Sequence, residues 1–291
     1  MIKSMTGYGL AANDYARAKY TVEIKSLNSK FLELSLKIPK SFSDKEFLLR
    51  NECTKQIERG KVSISINIEY AEFTQKTSVI NQDLLKHYFE QLKASADSLG
   101  DSGSNLLQMA LNFPEVVQYA ADEASEDEWK ALHSTFEQAL TNFQNFRRDE
   151  GAVLKQDLIL RISNILEGMR LVSEQEPLRI PSIKDRLNQF LEDAVGKENI
   201  DHNRFEQELI YFIDKLDITE EKIRLKSHCD YFIAALNDKD ANGKKLGFIS
   251  QEIGREINTM GSKANDAKMQ QIVVGMKEEL EKIKEQLLNV L

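Results

Sequence analysis

Hydrophobic and polar residues alternate three times within the first seventy positions. Tyr20, Val22 and Ile24 alternate with Thr21, Glu23 and Lys25. Leu32, Leu34, Leu36 and Ile38 alternate with Phe31, Glu33, Ser35 and Lys37, and Val62, Ile64, Ile66, Ile68 and Tyr70 repeat the pattern. A period of two marks strands with one buried face. Residues 4–10, SMTGYGL, add a first strand with two glycines, and Asn28–Ser29 suits a tight hairpin turn between the 20–24 and 32–38 runs. A helix precedes the last run, with Ser43 and Glu46 spaced as a capping box and Gly60 beyond its end. The order is β-β-β-α-β.

After about residue 75 the period becomes helical. Asn81 caps a helix that Gly100 stops, and residues 100–125 form a looser stretch containing Pro114. Ser125 and Glu128 form a second capping box, from which Trp129, Leu132, Phe136, Leu140, Phe143 and Leu154 follow at helical spacing. Gly151 does not break this pattern; Pro177 and Pro181 are expected to end it. A further helix fits 182–195, ended by Gly196, and two long ones fit 203–236 and 244–290 around the turn-like 237–243. The expected fold class is α+β: an antiparallel-type N-terminal module followed by a mainly α-helical region with long helices. The expected divisions are 1–152, a helical connector at 153–202, and a helical C-terminal module at 203–291.

Composition narrows the function. Charged residues at 30% and hydrophobic residues at 41% are those of an ordinary globular chain. A net charge of -8 excludes a uniformly basic nucleic-acid coat, though not a local basic surface. Cys53 and Cys229 cannot build a disulfide framework or a four-thiolate zinc site. No run approaches 18 apolar residues, and the N-terminus lacks the apolar core of a signal peptide, so a cytoplasmic location without a membrane partner is expected. Walker A, GxGxxG, GxSxG, HExxH and CxxC motifs are all absent.

The remaining chemistry gathers near the C-terminus. At 100° per residue, Asp217, Glu221, Arg224 and His228 share one helix face with Glu220 at its edge, and Glu206 joins them if the helix is continuous. On the next helix Glu252, Glu256, Thr259 and Lys263 share a face beside Arg255, Ser262 and Asp266, opposite an apolar stripe of Ile249, Ile253, Ile257 and Met260. Gly254 and Gly261 permit either close helix approach or a ligand near the backbone. Carboxylates can hold Mg²⁺ or Mn²⁺, Arg and Lys can neutralise a phosphodiester, and His can act as acid or base. A metal-assisted phosphodiesterase needs these residue types. The spacing alone does not demand one, because i,i+4 charges also decorate ordinary solvated helices, each pair contributing about 0.2–0.5 kcal/mol.

Several segments resemble one family. SMTGYG, EIKSLNSKFLE at 23–33 and RGKV at 59–62 resemble the N-terminal module, and RRDEG at 147–151 a middle segment, of the YicC/YloC family of bacterial stress-associated proteins, which are similar to metal-dependent endoribonucleases. RFEQEL at 204–209, DITEEKIRLKSH at 217–228 and GKKLGFISQEIGREINTMGSKAND at 243–266 resemble its C-terminal segments. The resemblance implies RNA as substrate, a divalent cation (Mn²⁺ or Mg²⁺), a hexameric homo-oligomer enclosing RNA, and a part in RNA turnover or stress response; other ribonucleases are expected as partners under the adaptor alternative. The motif positions carried over are Glu206, Glu208, Glu221, Arg224, His228, Gln251, Glu252, Arg255, Glu256, Asn258, Thr259, Ser262 and Lys263. Among these, Glu221, Glu252 and Glu256 are expected to ligate metal and His228 to act as acid/base or additional ligand. Arg224, Arg255 and Lys263 are expected to bind phosphate, and Asn258, Thr259 and Ser262 to orient water or ribose. Gly247 and Gly254 depart from the family pattern, which commonly has an acidic residue and Asn there. A non-catalytic RNA-binding adaptor is the alternative.

Overall fold

The computed structural model describes residues 2–16, 18–70, 78–100, 102–119, 124–197, 200–238 and 243–291. The period-two runs form strands β1 (Gly7–Tyr15), β2 (Ala18–Leu27), β3 (Leu32–Lys37) and β4 (Gly60–Tyr70), in sheet order β1-β2-β4-β3. The hairpin joins β1 to β2, not β2 to β3, with Tyr15 opposite Ala18. β4 lies between β2 and β3, antiparallel to the first and parallel to the second. The expected Asn28–Ser29 hairpin is therefore absent and the sheet is mixed. Alternation reports which face of a strand is buried; it does not report which neighbour the strand takes. Helix α1 (Glu46–Gln56) is the crossover that a parallel β3–β4 pair requires. It begins at Glu46 without a side-chain cap. Ser43 instead donates to the Lys40 carbonyl at 2.9 Å inside a 3-10 turn that buries Phe42, so the expected capping box does not form.

A two-stranded pair, β5 (Ser78–Ile80) and β6 (Val117–Tyr119), brackets α2 (Gln82–Leu99) and α3 (Leu106–Leu111). Asn81 caps α2 through the Leu84 amide at 3.1 Å, and Gly100 ends it at φ 72°. The Ser125–Glu128 capping box opens α4 (Glu126–Val195), one helix of 70 residues and about 105 Å. It runs through Gly151, Pro177 and Pro181, so the expected stop is overridden. An internal proline costs about 3 kcal/mol. Here tertiary bonds offset that cost: between the two prolines, buried Arg179 donates to the carbonyls of Leu216 and Lys263.

The first half of α4 packs on one sheet face, in a core that includes Tyr20, Val22, Ile24, Val62, Ile64, Leu132, Phe136 and Phe143. Gly9 makes the contact possible, because a Cβ there would sit 2.3 Å from the Ala139 carbonyl oxygen. The chain termini meet beside α4. Arg147 Nε donates to the Ser4 carbonyl at 2.7 Å, and Thr6 Oγ1 donates to Glu150 at 2.7 Å. The Met5 amide donates to the Asn289 carbonyl at 2.8 Å, and Arg59 donates to the Val290 carbonyl at 2.7 Å. Asn28 donates to the Leu288 carbonyl at 2.8 Å. Parts of the SMTGYG, RGKV and EIKSLNSKFLE segments thus fasten the last residues of the chain to the sheet module, while RRDEG ties the N-terminal segment to α4.

The two long C-terminal helices expected from the sequence are four: α5 (His202–Leu216), α6 (Thr219–Asn237), α7 (Gly243–Lys263) and α8 (Ala267–Leu287). Asp217 breaks the first by accepting from the Thr219 amide and hydroxyl at 3.0 and 2.7 Å, a local turn that competes with the helix. Asp266 starts α8 by accepting from the Met269 amide at 2.9 Å. The second core joins Leu158, Ile162 and Ile165 of α4 to Phe232, Ile253, Ile257, Met276 and Leu280. Gly254 and Gly261 accommodate Leu280 and Val273, so both serve helix approach rather than a ligand. No described helix is long and apolar enough to cross a membrane.

Candidate active site

Helices α6 and α7 pack against each other, and their polar edges form the candidate site. The pairing is antiparallel: Glu221, in the first turn of α6, meets Lys263, the last residue of α7, at 2.8 Å. Lys263 Nζ also donates to the Asp217 carbonyl at 2.9 Å. Glu221 is buried, and its second oxygen, Oε2, has no hydrogen-bond partner. The hydroxyl and amide of Thr219 hold the Asp217 carboxyl below the usual carboxylate range, with Lys263 and Lys222 adding to the effect.

Equal rise along antiparallel helices carries this register onward. Seven residues from the Glu221–Lys263 pair, about 10 Å along the axis, His228 comes level with Glu256. Glu256 is buried at 8% exposure, and no hydrogen bond or ion pair engages its carboxylate among the described residues. Glu252 lies one turn away on the same helix and pairs with exposed Arg255 at 2.8 Å. Arg224 is exposed and paired with Glu220. Thr259 and Ser262 donate their hydroxyls to the Arg255 and Thr259 carbonyls at 3.0 and 2.8 Å, leaving oxygen lone pairs outward, and Asn258 is exposed beside them.

The three expected metal ligands do not converge within one chain. Glu221 is committed to Lys263 and lies two helical turns from the level of Glu256. No group of three His, Cys, Asp or Glu residues able to hold a metal occurs among the described residues. Glu252 and Glu256 remain as a carboxylate pair one turn apart. Two carboxylates suffice for Mg²⁺ or Mn²⁺ when water and substrate phosphate complete the shell, so this pair fits such an ion. Glu206 and Glu208 sit on α5, beyond the break at Asp217, and do not share the α6 face.

Sequence reasoning missed the residues that hold the seam together. Arg179 of α4 binds the carbonyl ends of α5 and α7, and Lys222 of α6 pairs with Glu176 of α4. No local signal marked Arg179, because the prolines on either side of it read as a helix stop. Burial pushes Cys53 and Cys229 up to about 12, so both are neutral core thiols. A groove of about 700 Å³ lies elsewhere, between the end of α4 and α5, and touches none of α6 or α7.

These features define an α+β protein of two modules threaded by one helix, with an open acid–base edge on its C-terminal helices. The chain belongs to the YicC-like endoribonuclease family. The description "Endoribonuclease YicC-like, N-terminal region" matches residues 2–156, and "Endoribonuclease YicC-like, C-terminal" matches residues 172–291. The chain is 29% identical over 292 residues to "Probable endoribonuclease YicC" of Clostridioides difficile. It is 31% identical over 296 residues to the protein of the same name from Haemophilus influenzae. Each match spans all of both chains.

Proposed function

We propose that this protein is a divalent-metal-dependent endoribonuclease that cleaves RNA phosphodiester bonds at the α6–α7 edge. The observation that supports it most directly is Glu256, a mostly buried residue whose solvent-reaching carboxylate has no partner among the described residues, one turn from Glu252 and, by helix rise, level with His228 across the seam. Glu252 and Glu256 are the residues that would hold Mn²⁺ or Mg²⁺, whose chemistry there is to acidify water and offset phosphate charge. His228 is the group assigned to hold or deliver a proton there. Arg224 and Arg255 exchange their exposed glutamate partners for substrate phosphate, a charge-assisted replacement. Asn258, Thr259 and Ser262 present hydrogen-bonding groups to the ribose. Glu221 and Lys263 set the register of the two helices. The edge is an open surface, which suits a polymer lying across it.

The same reading includes a role in RNA turnover or the stress response, a cytoplasmic location and a hexameric assembly; the family likeness supports these. The adaptor alternative, which presents RNA to other ribonucleases, draws on the lack of a three-ligand metal group among the described residues. One assay separates the two. Purified protein is incubated with end-labelled RNA in Mn²⁺, in Mg²⁺ and in excess chelator, and product ends are analysed. Cleavage that needs metal and is lost in Glu252→Gln and Glu256→Gln, with folding intact, supports the enzyme. Tight binding without cleavage under any metal replaces it with the adaptor, and full activity in both variants removes the metal assignment.

A further inference from the structure

The two faces of the sheet are treated differently. The face toward α4 is filled with aliphatic and aromatic side chains, whereas the residues pointing the other way are exposed or partly exposed in all four strands. Strand register aligns Tyr8, Lys25, Ser63 and Ser35 in one row across β1, β2, β4 and β3, about 14 Å long. In the adjoining row Lys61 lies between Leu27 and Glu33. Lys30 and Phe31, the latter 67% exposed, lie in the bend that leads into β3, at the end of this row. Two lysine–aromatic couples result: Lys25 Nζ lies 5.8 Å from the Tyr8 ring centre, and Lys30 Nζ lies 5.3 Å from that of Phe31.

Packing does not account for these side chains. They belong to the SMTGYG, EIKSLNSKFLE and RGKV segments, yet they contribute nothing to either core and lie outside the α6–α7 edge. Lys30 and Lys61 have no carboxylate at ion-pair distance among the described residues, and the Glu23 partner of Lys25 is partly exposed. On a chain of net charge -8, Lys25, Lys30 and Lys61 outnumber the Glu23 and Glu33 that neighbour them, and with two exposed rings they make a place where phosphates are attracted and bases find a surface. An open sheet face with exposed rings suits unstacked bases; an A-form duplex offers it only backbone and groove edges.

We propose that this open sheet face is a binding platform for single-stranded RNA, on which Tyr8 and Phe31 stack bases while Lys25, Lys30 and Lys61 neutralise phosphates. The proposal rests on the endoribonuclease reading and adds a second contact, remote from the Glu252–Glu256 pair, that selects unpaired strands. The test is fluorescence anisotropy of a labelled, unstructured oligoribonucleotide of about 16 nucleotides with full-length protein in chelator, over a salt series.

Tyr8→Ala/Phe31→Ala is expected to weaken binding about tenfold or more. Lys25→Gln/Lys30→Gln/Lys61→Gln is expected to reduce the slope of log affinity against log salt by about 2, at about 0.7 per lost phosphate contact. A duplex of the same length is expected to bind the wild type about tenfold more weakly or worse. Unchanged affinity and slope in both variants, while the wild type cleaves RNA, overturns the platform and leaves the enzyme standing. A change in molar mass by light scattering with RNA binding intact shows that a second copy covers the face, and also overturns it. A wild type that neither binds nor cleaves RNA removes both readings. If the strand variants lose their fold, Lys30→Gln and Phe31→Ala, which lie in the turn before β3, carry the same slope and affinity tests.

Discussion

Replacing Lys263 by Met isolates the contact that registers the two site helices. The lysine donates to Glu221 at 2.8 Å and to the Asp217 carbonyl at 2.9 Å. The Glu221 side chain is 8% exposed and its Oε2 is already unpartnered, so Lys263→Met leaves a buried carboxylate with neither oxygen bonded by a side chain. Breaking a fully buried pair from one side costs about 3–5 kcal/mol. Lys263 is 31% exposed, so water reaches the gap, and the expected cost is reduced to about 2–3 kcal/mol. For a protein of 291 residues that corresponds to a Tm lower by about 3–5 °C. Adding Glu221→Leu removes the stranded charge and is expected to recover most of the loss, since replacing both partners by apolar groups is nearly neutral. Thermal unfolding of the wild type, both single variants and the double variant closes the cycle. Lys263→Met within about 2 °C of wild type, or a double variant less stable than Lys263→Met, refutes the buried-pair argument.

Three further outcomes follow from the geometry and chemistry above. Gly9→Ala, whose Cβ meets backbone atoms of α4 at 2.3 and 2.7 Å, is expected to lose at least about 3 kcal/mol in urea unfolding, whereas Gly247→Ala, with nothing within 4 Å, gains about 0.5–1 kcal/mol. Lys282, Asn164 and Arg161 hold the Glu279 carboxyl down to about 2 against an ordinary 4.5. Its contribution is therefore complete above the unfolded value and is lost as pH falls from about 4.5 through about 2, so the Tm gap between wild type and Glu279→Gln is expected to be constant above pH ~5 and to vanish near pH ~2. Glu252→Gln and Glu256→Gln are expected to abolish RNA cleavage with Tm within a few degrees of wild type; retained cleavage in either variant excludes that carboxylate.

Local chemistry was legible where one short stretch of chain carries its own reason to fold. The Asn81 cap, the Gly100 stop and the Ser125–Glu128 box each need only three or four neighbouring residues, and each formed as the sequence indicated. The polar face of residues 221–228 was legible for the same reason, because helical angle alone sets it. Ser43 failed as a cap because burying Phe42 in the core favoured a 3-10 turn over one more turn of α1.

What the sequence determined by itself was periodicity: an α+β chain, strands with a single buried face, and two stretches of helix carrying acid, base and cation on one side. Tertiary structure alone decided who stands next to whom. It put β4 between β2 and β3, carried α4 through two prolines on the bonds of Arg179, and turned Gly254 and Gly261 toward α8. It also parted Glu221 from Glu252 and Glu256, since the antiparallel register fixed by Lys263 spaces them along the helix axis. Periodicity is set by the backbone and its immediate neighbours. Adjacency is set by the summed burial and hydrogen bonding of segments distant in the chain, for which no single stretch of residues carries the information.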